Sequence, residues 1–255
     1  MSRTGQNVAA VGRDLPVAIA ESDRAPMRAT QYGDQIMQAV GGWRHALADE
    51  GSYFVATNPT IGTAVAMNAV VTAFSDTTGF FVIYNSSNEN EGGQRVYLDY
   101  LKLKLVSAGT STTVTDIAVV LDNIPREPTT AANRTLLTPV NVNGCFSNGA
   151  WAVPMCYSVS AAMTIPASSG ASRIVSRASI PWRHVSRDTC TIQFGGMKQV
   201  QTGGLTGAKA TAISSATANC PPVVIGPQQW VVIHLWNPGA GGGPTYEFEL
   251  TWWER

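Results

Sequence analysis

The segment Pro222–Arg255 reads PVVIGPQQWVVIHLWNPGAGGGPTYEFELTWWER and holds two strand-like stretches joined by a glycine-rich loop. From Trp230 to Trp236 nearly every residue is large and apolar, with His234 the one polar intruder. From Tyr246 to Trp253 the residues alternate. Tyr246, Phe248, Leu250 and Trp252 share one parity, and Glu247, Glu249, Thr251 and Trp253 share the other. Period-two alternation with β-branched and aromatic side chains marks a strand with one buried face. The connection Asn237–Pro244, with three consecutive glycines and a proline at its end, can neither continue a strand nor start a helix. A strand of this quality belongs in the body of a sheet, so the last ten residues are expected to be structural.

Composition bounds the rest. A chain of 255 residues can bury a sizeable core, and all-β domains of this length are often single units. Only 13% of the residues are charged, whereas about a quarter is usual for a soluble domain. A surface covered by partners explains this, and so does a Ser/Thr-rich extracellular β-protein. Seventeen basic and seventeen acidic residues cancel, leaving no global field to draw the chain to nucleic acid or acidic lipid. No apolar run approaches the ~20 residues of a membrane span. The apolar patches Val8–Val11 and Leu15–Ala20 are split by Arg13 and Asp14, so no export signal is read there, and a soluble protein is expected. Cys145, Cys156, Cys190 and Cys220 lie 11, 34 and 30 residues apart, without the paired spacing of a zinc site. Buried free thiols are expected.

Residues 1–29 read as an extended arm. Arg3, Arg13, Arg24 and Arg28 stand against Asp14, Glu21 and Asp23, a net charge of plus one. That is too little for packaging nucleic acid by charge neutralisation. Residues 30–255 read as one domain that begins with a short helix. Thr30 can cap it, and Tyr32, Ile36, Val40, Trp43 and Leu47 recur at helical spacing up to Ala48, although Gly41-Gly42 weakens its middle. Strands are expected at Tyr53–Thr57, Ala64–Phe74, Gly79–Asn85, Arg95–Val106 and Thr112–Leu121. After a loop-rich stretch at 122–150 they resume at Trp151–Ile165, Ser172–Ile180, Cys190–Phe194 and Thr211–Ser215. Within Arg95–Val106 the apolar parity switches from Val96, Leu98 and Tyr100 to Leu101, Leu103 and Leu105. A bulge near Tyr100 would reconcile the two and point Lys102 and Lys104 outward together. At least eight strands with turn-rich connections predict an all-β sandwich or jelly roll.

Chemistry is thinly represented. His45, His184 and His234 sit in separate contexts, and His234 reads as a core or interface imidazole. No GxSxG elbow or other catalytic motif is present, and the glycine clusters lack phosphate-binding spacing. No enzyme, cofactor or metal is expected. Asn85-Ser86-Ser87 and Asn133-Arg134-Thr135 match the glycosylation sequon. The most asymmetric charge is SRIVSRASIPWRHVSRD, residues 172–188, where Arg173, Arg177, Arg183 and Arg187 face one aspartate beside Trp182 and His184. Such arginines could hold phosphates and stack a base, or bridge to acidic groups on a neighbouring subunit. Glu247, Glu249 and Trp253 form a second candidate, a strand face met by a neighbour.

Taken with the arm, the helix and the sparse charge, Gly226-Pro-Gln-Gln-Trp-Val-Val-Ile-His-Leu-Trp236 and Tyr246–Trp253 look like the last two strands of a jelly-roll barrel. In these features the chain resembles the jelly-roll capsid proteins of small icosahedral viruses. The resemblance implies an eight-stranded jelly-roll sandwich that self-assembles into a shell around a genome, and hence a place in the virion. It implies copies of the chain as partners, other capsid proteins beside them, weak genome contact, and a host receptor met by loops 122–150 and 237–244. Many subunits of this type carry a polybasic arm. The near-neutral arm here favours a genome condensed otherwise or lined by a membrane, as in some bacterial viruses. A carbohydrate-binding β-sandwich (lectin, adhesin or phage spike) is the alternative, with Trp252 or Trp253 as a sugar-stacking platform.

Overall fold

In the computed structural model, residues 43–60, 62–66, 73–89, 93–107, 115–129, 134–146, 149–157, 163–168, 172–180, 189–195, 215–237 and 244–255 are described. The arm, Arg183, Arg187, His184 and most of the 237–244 loop lie outside them. The chain divides into two units, residues 1–50 and residues 51–255. In the first, the described part of the expected helix is α1, Trp43–Asp49.

The second unit is a β-sandwich. Its strands are β1 (Tyr53–Thr57), β2 (Val65–Ala66), β3 (Phe81–Asn85), β4 (Val96–Ser107), β5 (Thr115–Asp122), β6 (Arg134–Leu136) and β7 (Val140–Asn141). They continue with β8 (Ala152–Tyr157), β9 (Arg173–Ile180), β10 (Thr189–Phe194), β11 (Ser215–Cys220), β12 (Val224–Ile225), β13 (Trp230–Trp236) and β14 (Thr245–Glu254). Fourteen segments among the described residues exceed the eight expected. The extra ones include β6 and β7, two or three residues each, in the stretch read as loop. Phe74, assigned to a strand by its sequence, lies outside the strands and packs edge-on against His234 and Trp236.

The first sheet runs β11-β10-β4-β14-β1-β7, with β12 on β4 and β2 on β14. The second runs β6-β8-β3-β13-β5-β9. The two C-terminal strands therefore each occupy the interior of a different sheet. Among the longer strands the pairing is nested. β1 pairs β14, β3 pairs β13, β4 pairs β10 and β5 pairs β9, all antiparallel.

Burial explains why β13 and β14 read so differently. On β14, Tyr246, Phe248, Leu250 and Trp252 are buried, and Phe248 meets Phe81 of the opposite sheet with ring centroids 4.6 Å apart. Glu247, Glu249 and Trp253 on the alternate parity stay partly accessible. β13 is buried on both faces, which calls for a continuous apolar run. Ile233 pairs Phe81 and so faces the sandwich interior. On the other face, Val232 lies beneath Gly79, where an added Cβ would sit 3.0 Å from Val232 and 3.4 Å from Met163 and Ile165. At its start, Gln228 takes a left-handed backbone (φ 57°) and its Nε2 donates to the carbonyls of Ser86 and Ser87.

The parity switch in β4 is a bulge. Thr251 pairs Tyr100 and Trp252 pairs Leu98, leaving Asp99 as the extra residue. Asp99 is buried and accepts a hydrogen bond from the Tyr53 hydroxyl. Burial first, and then that bond, raise the Tyr53 pKa well above the ordinary tyrosine value.

Glu254 ties the end of β14 to the other sheet. Its carboxylate accepts from the backbone N–H of Trp151 and Ala152 and from Trp252 Nε1, each at 2.9 Å. Burial nonetheless dominates and raises its pKa, offset in part by those three donors. Glu254→Ala orphans three donors, two of them backbone, and is expected to cost about 2–3 kcal/mol. A raised folded pKa gives a contribution that is present below the unfolded value and is lost as pH rises through the folded value. The deficit measured by urea unfolding should therefore be larger at about pH 4 than at about pH 8.

Candidate assembly surfaces

The outer face of the first sheet is built by the alternate parity of β4 and β14. Lys104 pairs with Glu247 (2.6 Å) and Lys102 with Glu249 (3.8 Å), each directly across the ladder. The Tyr100 hydroxyl also donates to Glu249. At the far end Tyr97 and Trp253 stack, with ring centroids 3.8 Å apart and planes within 3°. The expectation that Lys102 and Lys104 point outward together holds. These four charges and Phe248 line a shallow depression. Glu247, Glu249 and Trp253 are thus brought onto one face, each engaged by a β4 neighbour.

The arginine candidates do not converge. Arg173 and Arg177 are both exposed on β9, an edge strand of the second sheet. The register slips between Val119 and Val120, so Val175 is extra. Arg173 then lies opposite Leu121, on the parity of the buried Val119, and Arg177 lies opposite Ala118 on the other parity. Side chains directly opposite in a ladder share a face, so the two arginines occupy opposite faces of the sheet. Arg183 and Arg187 fall outside the described residues.

A buried charge cluster that the sequence did not announce lies beside His234. Arg126 is fully buried. Its Nη1 donates to Asp122 Oδ2 at 3.0 Å, and its Nη2 donates to the Asp76 carbonyl at 2.6 Å and to Asp76 Oδ1 at 3.0 Å. Asp76 also accepts from the backbone N–H of Ser168. Burial alone would raise the Asp76 pKa, but Ser168 and Arg126 outweigh it and hold the carboxyl below its ordinary value. His234 Nδ1 lies 2.8 Å from the Thr78 carbonyl, so that nitrogen carries the proton. Burial lowers the His234 pKa, with Arg126 adding to the effect and the bond to the Thr78 carbonyl opposing it. The cluster pins three loops against the end of β13.

Other sequence candidates are answered by burial. Asn85 is fully buried, and its Nδ2 donates to the carbonyls of Gln94 and Ile225, so its sequon is inaccessible to modification. All four cysteines are free. Cys145 is exposed, contrary to expectation, and the other three are buried. Burial pushes the thiols of Cys156 and Cys190 up to about 12, which makes them poor nucleophiles. Trp252 is buried against Phe54 and cannot serve as a sugar platform. Among the described residues no three His, Cys, Asp or Glu side chains gather as a metal site would require. No helix among them is long and apolar enough to cross a membrane. Comparison with protein families, curated proteins and solved structures finds no match to this chain.

Proposed function

We propose that the chain is a structural subunit of an icosahedral virus shell, built as a jelly roll and assembling with copies of itself around a genome. The nested strand pairing carries this reading. Taking β1, β3, β4, β5, β9, β10, β13 and β14 in order, the first pairs the eighth, the second the seventh, the third the sixth and the fourth the fifth. This is one long antiparallel hairpin wound on itself, with sheets ordered 6-3-8-1 and 2-7-4-5. Two Greek keys wound in this way make a jelly roll, an architecture of viral capsid and lectin domains. β2, β6, β7, β8, β11 and β12 are then additions to that frame.

Between those two uses, the surface favours assembly. Trp252 is buried and Trp253 has one ring face covered by Tyr97, which reduces the aromatic platform a sugar would stack on. Sparse charge, 13% of residues, suits a surface shared among neighbours. Size-exclusion chromatography with negative-stain microscopy of the purified protein should show closed particles or ring oligomers. A monomer that binds glycans on an array would overturn the reading. Arg173 and Arg177 are read as contacts to acidic groups of neighbouring copies. Arg173→Ala and Arg177→Ala, made singly because the two lie on opposite faces, should each lower particle yield and leave nucleic acid per particle unchanged. Normal yield with less nucleic acid would assign them to the genome.

A further inference from the structure

The outer face of the first sheet carries its charge in two adjacent columns. Lys102 and Lys104 stand two apart on β4, and Glu249 and Glu247 stand directly opposite them on β14. The side chains remain accessible, 46% and 48% for the lysines and 33% and 24% for Glu249 and Glu247. The flanks are uncharged. β10 places Thr189 and Thr191 beside Lys104 and Lys102, and β1 places Thr57 and Val55 beside Glu249 and Thr251. Each ammonium has three donors and each carboxylate two oxygens, so a pair within the sheet leaves capacity for a second partner.

We propose that this face is a homodimer interface, in which two copies pack face to face about a twofold axis parallel to β4 and β14. Rotation about such an axis exchanges left and right across the sheet. The lysine column of one copy then lies over the glutamate column of the other, and the reverse. A twofold axis perpendicular to the strands would instead set lysine against lysine. The charge arrangement therefore selects both the partner, a second copy of this chain, and the symmetry, an isologous contact. With strands about 4.8 Å apart and about 3.4 Å per residue, a six-stranded face with ten-residue central strands spans at most roughly 600–800 Å², with Tyr53 and Thr251 on it already buried, against the ~800 Å² per partner of a stable interface. The stacked Tyr97 and Trp253 supply a rigid aromatic element at one end of the contact. The dimer gives the assembly reading one of its contacts, and only its role in a shell rests on that reading.

A charge-exchanged variant tests it. Lys102→Glu, Lys104→Glu, Glu247→Lys and Glu249→Lys together keep every pair within the sheet and swap the columns, so the variant should fold and dimerise with itself. Against the wild-type chain, like would meet like across the interface. Native mass spectrometry of an equal mixture, with one protein isotopically labelled, should show two homodimers and about a tenth or less of the statistical heterodimer. Statistical mixing overturns the proposal. Independently of any variant, sedimentation of the wild-type chain, at concentrations too low for larger particles to form, should show a dimer whose dissociation constant rises at least about tenfold from low to high salt. A monomer at both, or a salt-insensitive dimer, overturns the proposal as well. Shells that form while the two proteins mix freely defeat the dimer and leave the assembly reading standing. Dimers that sort by charge but never form shells do the opposite.

Discussion

A chain ending at Pro244 is expected to show no cooperative unfolding transition. The deletion removes β14 from between β4 and β1, and with it ten ladder positions on one side and five on the other. It also removes Tyr246, Phe248, Leu250 and Trp252 from the core, each at most 5% exposed. Burying a large apolar side chain is worth about 1.5–3 kcal/mol, so four amount to roughly 6–12 kcal/mol. Total stabilities are about 5–15 kcal/mol, and the lost hydrogen bonds come in addition. Near-ultraviolet circular dichroism during thermal and urea titration reads the outcome. A truncated chain that stays monomeric and unfolds cooperatively would show that the first sheet can close without its central strand.

Arg126→Met is expected to destabilise the fold by about 3–5 kcal/mol, because removing one partner leaves the buried Asp122 carboxylate without its counter-charge. Adding Asp122→Leu should recover much of the loss, since an apolar pair of similar volume is often neutral where a broken ion pair is not. Urea midpoints of the single and double variants give the comparison. The effect has a defined pH dependence. Asp76 has a folded pKa below its unfolded value, so its contribution is present above that unfolded value and is lost as pH falls through the folded one. Part of what Arg126 stabilises therefore disappears in acid, and the deficit of the variant should narrow below the ordinary aspartate range. A deficit that widened in acid would mean that Asp76 does not gain from Arg126.

Where the sequence was informative, local periodicity was the reason. The alternation of β14, the uninterrupted run of β13 and the parity switch in β4 each report how many faces of a strand are covered, a property carried by consecutive residues. β6, β7 and β12, of two or three residues, are too short to have a period, and two of them fell inside a stretch read as loop. β11 runs Ser215–Cys220, whereas the sequence placed a strand at Thr211–Ser215. Its small residues Ser, Ala and Thr give little contrast between faces. The Arg126 cluster was illegible for a different reason. Arg126 lies in the loop-like run Ile124-Pro-Arg-Glu-Pro128, and its burial depends on Asp76, fifty residues earlier. The two glutamates and Trp253 were legible as a face of β14. Their partners Lys104, Lys102 and Tyr97 were not, because strand register is a long-range property. The split between Arg173 and Arg177 depends on one unpaired residue, Val175, which composition does not mark.

The pairing of β1 with β14 also sets the timing of folding during synthesis. About 190 residues separate the end of one from the start of the other, and at about 5–20 residues per second the ribosome needs roughly 10–40 s to supply them. Until β14 emerges, β1, joined by β4 once that strand is made, lacks the strand that fills the gap between them, and the backbone N–H and C=O groups facing that gap are open to strangers. Contacts this distant in sequence make closure slow even once β14 has emerged. The nascent protein thus spends its riskiest period with an unfilled seam in its widest sheet. The Lys/Glu face is incomplete for the same interval, because both glutamates arrive on β14. The proposed dimer contact therefore cannot form before β14 has emerged, an order set by topology alone.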